Sequence, residues 1–177
     1  MTLVALASAA PEPSAARDLV VGIADLKVSR EPGRRIVTYA LGSCLGIAVH
    51  DATAGVAGLL HIMLPLSSLD EAKARENPYM FVDSGVPLLF KECYALGAKK
   101  ERMTVKVAGG AFAGEREEDD RFQIGKRNVL TLRKLLWKNN VLLHGDDVGG
   151  CRLSRTMTVD VDTGAVTLKV NGSTRAL

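Results

Sequence analysis

Two apolar runs joined by a short connector constrain the fold of this chain more than any other feature. Residues 45–50 and 56–63 are rich in aliphatic side chains and have the length of strands. The connector, residues 51–55, begins with Asp and ends with Gly, which are both good turn formers. We therefore expect an antiparallel hairpin. Its expected pairs are His50 with Val56, Cys44 with Ile62 and Leu45 with His61.

The expected hairpin brings a cysteine and a histidine close together at its open end. His61 is expected opposite Leu45, which makes it a near diagonal neighbour of Cys44. Directly opposed residues in such a ladder are only ~5 Å apart. A small change of register, or a bend at Gly46, would bring the two side chains into contact. A thiol is a strong nucleophile only as the thiolate, and a nearby imidazole is the usual group that removes its proton. Cys44 and His61 are therefore a candidate nucleophile and base.

Other groups near Cys44 fit this chemistry less well. His50 is roughly 20 Å from Cys44 along one extended strand, and nothing local ties His144 to the thiol, so we expect both to be structural. Ser43 should point to the opposite face of the chain from Cys44. The competing interpretation of Cys44 itself is a buried structural cysteine, because free cysteines are often buried.

The rest of the chain predicts one α/β domain, residues 18–177, with a mixed, largely antiparallel sheet and helices packed outside. Residues 1–17 are expected to form a flexible tail rich in Ala, Ser and Pro. The polar stretch up to residue 77 is expected to be an exposed loop. Further strands are expected at residues 19–28 (one or two), 35–39, 103–108, 141–144, 154–161 and 166–170. Helices are expected at residues 83–96, with Pro87 in the first turn, and at residues 125–139.

Composition argues against several classes of function. The net charge is only +3 and the basic residues are scattered, so no nucleic-acid surface is indicated. No apolar run approaches the ~20 residues of a membrane span. The cysteines at positions 44, 93 and 151 form no zinc pattern, which favours free thiols in a reducing cytoplasm. The acidic run at residues 115–121 is expected to be solvated, and no phosphate-binding motif occurs, so we expect no metal and no cofactor.

Five segments, in order, resemble the CheD family of bacterial chemoreceptor glutamine deamidases. They are residues 38–44 (TYALGSC), 61–65 (HIMLP), 107–111 (VAGGA), 124–128 (IGKRN) and 147–150 (DVGG). The resemblance extends over most of the chain. It implies an α/β sandwich similar to the catalytic domain of cytotoxic necrotizing factor toxins, which also deamidate glutamine.

The resemblance implies a Cys-His-Thr catalytic triad. It assigns the nucleophile to Cys44, the base to His61 and the third member to Thr38, whose hydroxyl would orient the imidazole. The implied reaction hydrolyses glutamine side-chain amides of methyl-accepting chemotaxis receptors to glutamate and ammonia, and activity on glutamate methyl esters has also been attributed to the family. The implied regulatory partner is the CheC phosphatase, in bacteria that possess it.

Supporting groups and alternative functions stay open at this point. Preorganised donors for the oxyanion are expected around Gly42 and Ser43 or at Gly109 and Gly110, with tight turns as the alternative role of these glycines. Arg127 and Asn128 open a helix and either line the site or cap the helix. The main alternative function is a receptor-binding adaptor with secondary or no catalysis, and the third is an esterase for small esters.

Overall fold

The computed structural model describes residues 18–177, and the predicted tail at residues 1–17 lies outside the described residues. The described chain forms ten strands and three α-helices. The strands are β1 (Asp18–Val21), β2 (Asp25–Ser29), β3 (Arg35–Leu41), β4 (Leu45–Asp51), β5 (Val56–Ile62), β6 (Thr104–Gly109), β7 (Gly145–Val148), β8 (Arg155–Asp160), β9 (Val166–Val170) and β10 (Ser173–Ala176). The helices are α1 (Glu71–Glu76), α2 (Val82–Ala95) and α3 (Ile124–Lys138).

The strands form two mixed sheets of five strands each. The first sheet has the order β1-β3-β8-β9-β10, and the second has the order β2-β5-β4-β6-β7. Among the described residues, only the pairs β1–β3 and β6–β7 are parallel, and the other six pairs are antiparallel. The prediction of a mixed, largely antiparallel α/β architecture is confirmed.

The two sheets pack face to face, and helices cover the outer face of the second sheet. β4 and β5 are buried along their whole lengths, as expected for strands covered on both faces. Small side chains such as Ala48 and Ala57 face the first sheet, where they pack with Met157. The alternate residues, including Ile47 and Leu60, pack with the apolar faces of α2 and α3. This alternation along two central strands produces a three-layer sandwich.

Most predicted elements are present. Residues 19–28 form two strands, β1 and β2, which belong to different sheets. The strand near residues 35–39, the central hairpin, the strand near residues 103–108 and both long helices are confirmed, with bounds that differ by a few residues. The C-terminal hairpin β8–β9 is confirmed, and an additional exposed strand, β10, follows it.

Three local predictions are wrong. The stretch before residue 77 contains α1, whose first turn is capped by the Asp70 side chain accepting from the Lys73 amide at 3.0 Å. α2 begins at Val82, so Pro87 lies inside the helix and not in its first turn. Residues 141–144 are not a strand. The strand is β7, which pairs in parallel with β6, so tertiary pairing overrides the poor strand propensity of its two aspartates.

Candidate active site

The central hairpin has a different register from the predicted one. His50 pairs with Ala57 and Asp51 with Val56, so the pair at the open end is Gly46 with His61. The expected pairing is therefore wrong by one residue. The turn is shorter because the Asp51 carboxylate accepts hydrogen bonds from two amides of the turn, at 3.0 and 3.1 Å.

This one-residue difference determines the face on which His61 lies. A shift of one residue moves every side chain of a strand to the opposite face. In the observed register His61 shares a face with Gly46, and Cys44 lies two positions before Gly46, immediately before β4 begins. Diagonal positions of this kind are roughly 7–8 Å apart. The observed register, unlike the predicted one, places both groups on the face toward the first sheet.

The sheets approach each other closely beside the candidate nucleophile. A Cβ atom at Gly46 would lie 2.7 Å from a methyl carbon of Leu41 and 3.0 Å from the sulfur of Met157, so a larger residue there would have to displace these side chains. His61 is fully buried in this layer. Cys44 packs against the same apolar cluster but is only half-buried, as a thiol that attacks an external substrate must be.

Thr38, on β3 of the other sheet, holds the imidazole of His61. The Thr38 hydroxyl donates to the Val21 carbonyl at 2.8 Å, and its oxygen lies 2.8 Å from Nδ1 of His61. A hydroxyl has one hydrogen. Because that hydrogen is given to Val21, the hydroxyl must accept from Nδ1–H of His61. The neutral imidazole therefore carries its proton on Nδ1 and has a free lone pair on Nε2.

The Nε2 atom of His61 is buried and has no hydrogen-bond partner among the described residues. Burial lowers the pKa of His61 from 6.5 to about 4, so the ring is neutral at physiological pH. Burial also raises the pKa of the Cys44 thiol above 9.0, partly offset by a hydrogen bond from its own backbone N–H. The resting pair is thus a neutral thiol and a neutral imidazole rather than an ion pair.

Gly109 and Gly110 support the loop that carries Cys44. The Gly110 amide donates to the Cys44 carbonyl at 2.9 Å, and the Ala111 amide donates to the Gly42 carbonyl at 2.8 Å. Gly109 has φ +120°, and a Cβ atom there would lie 2.0 Å from the Cys44 carbonyl oxygen. Gly109 is therefore required by the close approach of two backbone segments.

The amides near Cys44 differ in whether they are already bonded. The Gly42 amide donates to the Ala40 carbonyl at 3.0 Å. In the part of the chain that the structure describes, the Ser43 amide has no acceptor and the Cys44 amide has none besides its own sulfur. Neither N–H group is bonded to a carbonyl, so both remain available to a substrate oxygen.

Asn128 is the residue near the site whose role the sequence left undecided. It is fully buried on α3, and its amide nitrogen donates to the Ser43 carbonyl at 3.0 Å and to the Met63 carbonyl at 2.9 Å. The sequence signals were its place next to Arg127 at the start of a helix and its position in residues 124–128, one of the five segments that carry the family resemblance.

The other histidines and cysteines lie apart from this arrangement. His50 Nε2 bonds the Val161 carbonyl at 3.1 Å, and His144 Nδ1 accepts from the Val105 amide at 3.1 Å. Cys93 is buried and Cys151 is exposed. Within residues 18–177, no group of three or more His, Cys, Asp or Glu side chains is placed to hold a metal ion. No helix there combines the length and apolarity that a membrane crossing requires.

Comparison with known proteins identifies relatives over most of the chain. Residues 63–170 match the family model described as CheD chemotactic sensory transduction, a range that begins just after His61. A protein of Syntrophus aciditrophicus named probable chemoreceptor glutamine deamidase CheD 1 is 50% identical over 155 residues, which cover 88% of this chain and 95% of the relative.

Two further relatives carry the name probable chemoreceptor glutamine deamidase CheD. The protein of Solibacter usitatus is 44% identical, over 90% of this chain and 92% of its own. The protein of Syntrophotalea carbinolica is 43% identical, over 88% of this chain and 95% of its own. Identity at this level over nearly the full length of each relative shows common descent, and the chain belongs to the CheD family.

Proposed function

We propose that this protein is a chemoreceptor glutamine deamidase that uses Cys44 as nucleophile, His61 as general base and Thr38 as the residue that orients His61. The observation that carries the proposal is the pair of hydrogen bonds from His61 to Thr38 and from Thr38 to Val21. These bonds leave the Nε2 lone pair of His61 unbonded in the layer between the sheets, where Cys44 also packs. The printed names of the relatives supply the substrate class.

The reaction begins with transfer of the Cys44 proton to Nε2 of His61. The thiolate attacks the carboxamide carbon of a glutamine, and the carbonyl oxygen becomes an oxyanion. His61 then gives its proton to the amide nitrogen, the C–N bond breaks, and ammonia leaves a thioester on Cys44. Water, deprotonated by His61, attacks the thioester, and the glutamate product departs as the thiol is restored.

Thr38 restricts these proton transfers to Nε2 of His61. While Nδ1–H is bonded to the hydroxyl, only Nε2 can accept a proton from the thiol. A hydroxyl stabilises the imidazolium less than the carboxylate of a Ser-His-Asp triad would. The weaker support suffices because a thiol loses its proton far more readily than a serine hydroxyl does.

The oxyanion is proposed to bind the free amides of Ser43 and Cys44. Fixed donors of this kind act without reorganisation during the reaction. The amides of Gly42 and Gly110 are already bonded to carbonyls, so these glycines, with Gly109, are proposed to shape the loop.

The cellular setting is part of the same proposal. The substrates would be glutamines of methyl-accepting chemotaxis receptors, with their glutamate methyl esters as second substrates. The CheC phosphatase would be a regulatory partner where the organism has it. Three free thiols favour the cytoplasm, and residues 18–177 would act as one domain.

The direct test measures the mass of a glutamine-bearing receptor fragment after incubation with the protein. Deamidation replaces an amino group by a hydroxyl, and tandem mass spectrometry locates the change. We expect the wild type to convert specific glutamines and Cys44→Ala to lose at least ~10³-fold in rate. The matched control is Cys151→Ala, which removes an exposed cysteine and should keep full activity.

Receptor binding without any mass change in the wild type would contradict the proposal and favour the adaptor. Turnover of small esters with no action on receptor fragments would favour the esterase.

A further inference from the structure

Asn128 connects the two segments that carry the candidate nucleophile and base. Ser43 immediately precedes Cys44, and Met63 lies two residues beyond His61. The Asn128 side chain bonds the backbone carbonyls of both, at 3.0 and 2.9 Å. A primary amide has two hydrogens, and both are used here. No single hydroxyl could make both bonds.

The unbonded side-chain oxygen of Asn128 indicates that this position requires the two N–H donors of the side chain and not its acceptor. Its Oδ1 is buried and has no hydrogen-bond partner among the described residues. A buried acceptor without a partner costs stability, which an apolar side chain at this position would avoid. The amide cannot be turned over, because its oxygen would then face two carbonyl oxygens.

The helix that carries Asn128, α3, packs against the backbone at Gly110. A Cβ atom at Gly125 would lie 2.4 Å from the Gly110 carbonyl oxygen, so the first turn of α3 packs directly on that backbone. The Gly110 amide in turn bonds the Cys44 carbonyl. The position of Asn128 is therefore fixed relative to the Cys44 loop, and a shift of α3 would displace the Ser43 and Met63 carbonyls that Asn128 bonds.

We infer that Asn128 is a positioning residue that holds Cys44 and His61 at the separation that proton transfer between them requires. The inference rests on the proposed function and deepens it. A misplacement of ~1 Å between reacting groups can lower a rate by about 10²-fold. Without the Asn128 bonds, the Ser43 carbonyl would lose its link to α3, and the Cys44 loop would keep the bonds that Gly110 and Ala111 make on its other side.

The test uses Asn128→Ala and Asn128→Ser in a Cys151→Ala background, so that Cys44 is the reactive thiol. Cys93 is buried, with its pKa raised to about 12 by burial and the nearby Glu92, and should not react. The matched control is Asn139→Ala, at the other end of α3, where the side chain is exposed and bonds only the Leu135 carbonyl. Receptor-fragment deamidation and the pH profile of Cys44 alkylation by iodoacetamide are measured.

We expect both Asn128 variants to lose roughly 10- to 100-fold in kcat, with KM changed less than ~3-fold. The alkylation midpoint of Cys44 should move down toward 9.0, because a released loop exposes the thiol. Asn139→Ala should leave both readouts unchanged. A residue that merely stabilises the fold would leave kcat and the alkylation midpoint of the folded variants at wild-type values, and that result would overturn the inference.

Two further outcomes separate this inference from the proposed function. If the wild type does not deamidate receptors but the Asn128 variants still shift the alkylation profile, the deamidase proposal fails and the positioning role stands. If the wild type deamidates and folded Asn128→Ala does so equally well, only the inference fails. Wild-type NMR gives a check that needs no variant to fold: fast solvent exchange of either Asn128 side-chain hydrogen would overturn it.

Discussion

The Thr38 hydroxyl has a single hydrogen, and its donation to the Val21 carbonyl makes Nδ1–H of His61 the donor to Thr38 and leaves Nε2 as the basic nitrogen. Replacing Thr38 by Val keeps the shape and removes this bond. We expect a ~10- to 100-fold loss of kcat, less than the loss of a triad carboxylate causes, because the imidazole is then free to hold its proton on Nε2. Nitrogen NMR of His61 measures the tautomer directly. Thr38→Ser, which keeps the hydroxyl, should retain activity, and a tautomer unchanged in Thr38→Val would contradict this assignment.

The same residue scale predicts an unusual pH profile. Catalysis needs neutral His61, whose pKa is about 4, and a neutral thiol whose pKa lies above 9.0. We therefore expect kcat/KM to be flat between about pH 5 and pH 9, to fall below that range as His61 is protonated, and to fall above it as the Cys44 thiol ionises. Alkylation of Cys44 should rise steadily with pH through this plateau. A Cys44 alkylation midpoint below pH 7 would instead indicate a preformed thiolate–imidazolium pair.

At the scale of elements, the loop that carries Cys44 lies where β4, β6 and α3 meet. The end of β6 passes so close to Cys44 that Gly109→Ala would bring a methyl group onto the Cys44 carbonyl oxygen, in a backbone conformation that alanine rarely adopts. We expect this variant to lose activity by ~10²-fold and to be destabilised by about 2 kcal/mol. Gly97→Ala is the matched control: it also has positive φ, but nothing lies near the added carbon.

The Gly97 control separates backbone strain from contact with the site. It should lower the free energy of unfolding by about 1 kcal/mol and leave kcat unchanged. Comparable losses of kcat in both glycine variants would show that the Gly109 contact has no special role in catalysis.

At the scale of the whole molecule, Asp51 connects two distant turns. Its buried carboxylate accepts from the amides of the β4–β5 turn, from the Lys99 amide at 2.8 Å and from the Arg102 guanidinium at 2.7 and 3.0 Å. Burial alone would raise its pKa, but the hydrogen bonds from Arg102, Lys99 and Ala54 lower it from 3.8 to about 2. Asp51 therefore ties the catalytic hairpin to the segment that leads into β6.

Asp51→Asn should lower the free energy of unfolding at pH 7 by about 3 kcal/mol, because the NH₂ group of asparagine would face donors that now bond the buried carboxylate. In the wild type, the unfolded carboxyl takes up a proton near pH 3.8, before the folded one does near 2, so the Asp51 contribution is lost as pH falls through this window. The variant should lack that loss. Asp146→Asn, in an exposed pair with Arg133, is the control and should cost less than ~1 kcal/mol in urea unfolding.

Local sequence patterns were sufficient to predict most of the strands and helices. They failed where long-range contacts determine the strand register or the type of element. The aliphatic runs of β4 and β5 predict a hairpin because strands covered on both faces are apolar throughout. The same uniformity hides the register, since an alternating pattern would have shown which residues face which sheet. Pro87 inside α2 and the parallel strand β7 were missed because packing against the sheet outweighs local propensity there.

The sequence by itself determined the chemistry: a thiol, an imidazole and a hydroxyl on strand-forming segments, with glycines at the close approaches. Only the tertiary structure decided the arrangement of these groups. Thr38 lies on one sheet and His61 on the other, Asn128 reaches two carbonyls 85 and 65 residues away in the chain, and the Asp51 bonds choose the register. The physical reason is that hydrogen-bond partners across sheets are selected by packing in three dimensions, which a one-dimensional pattern does not record.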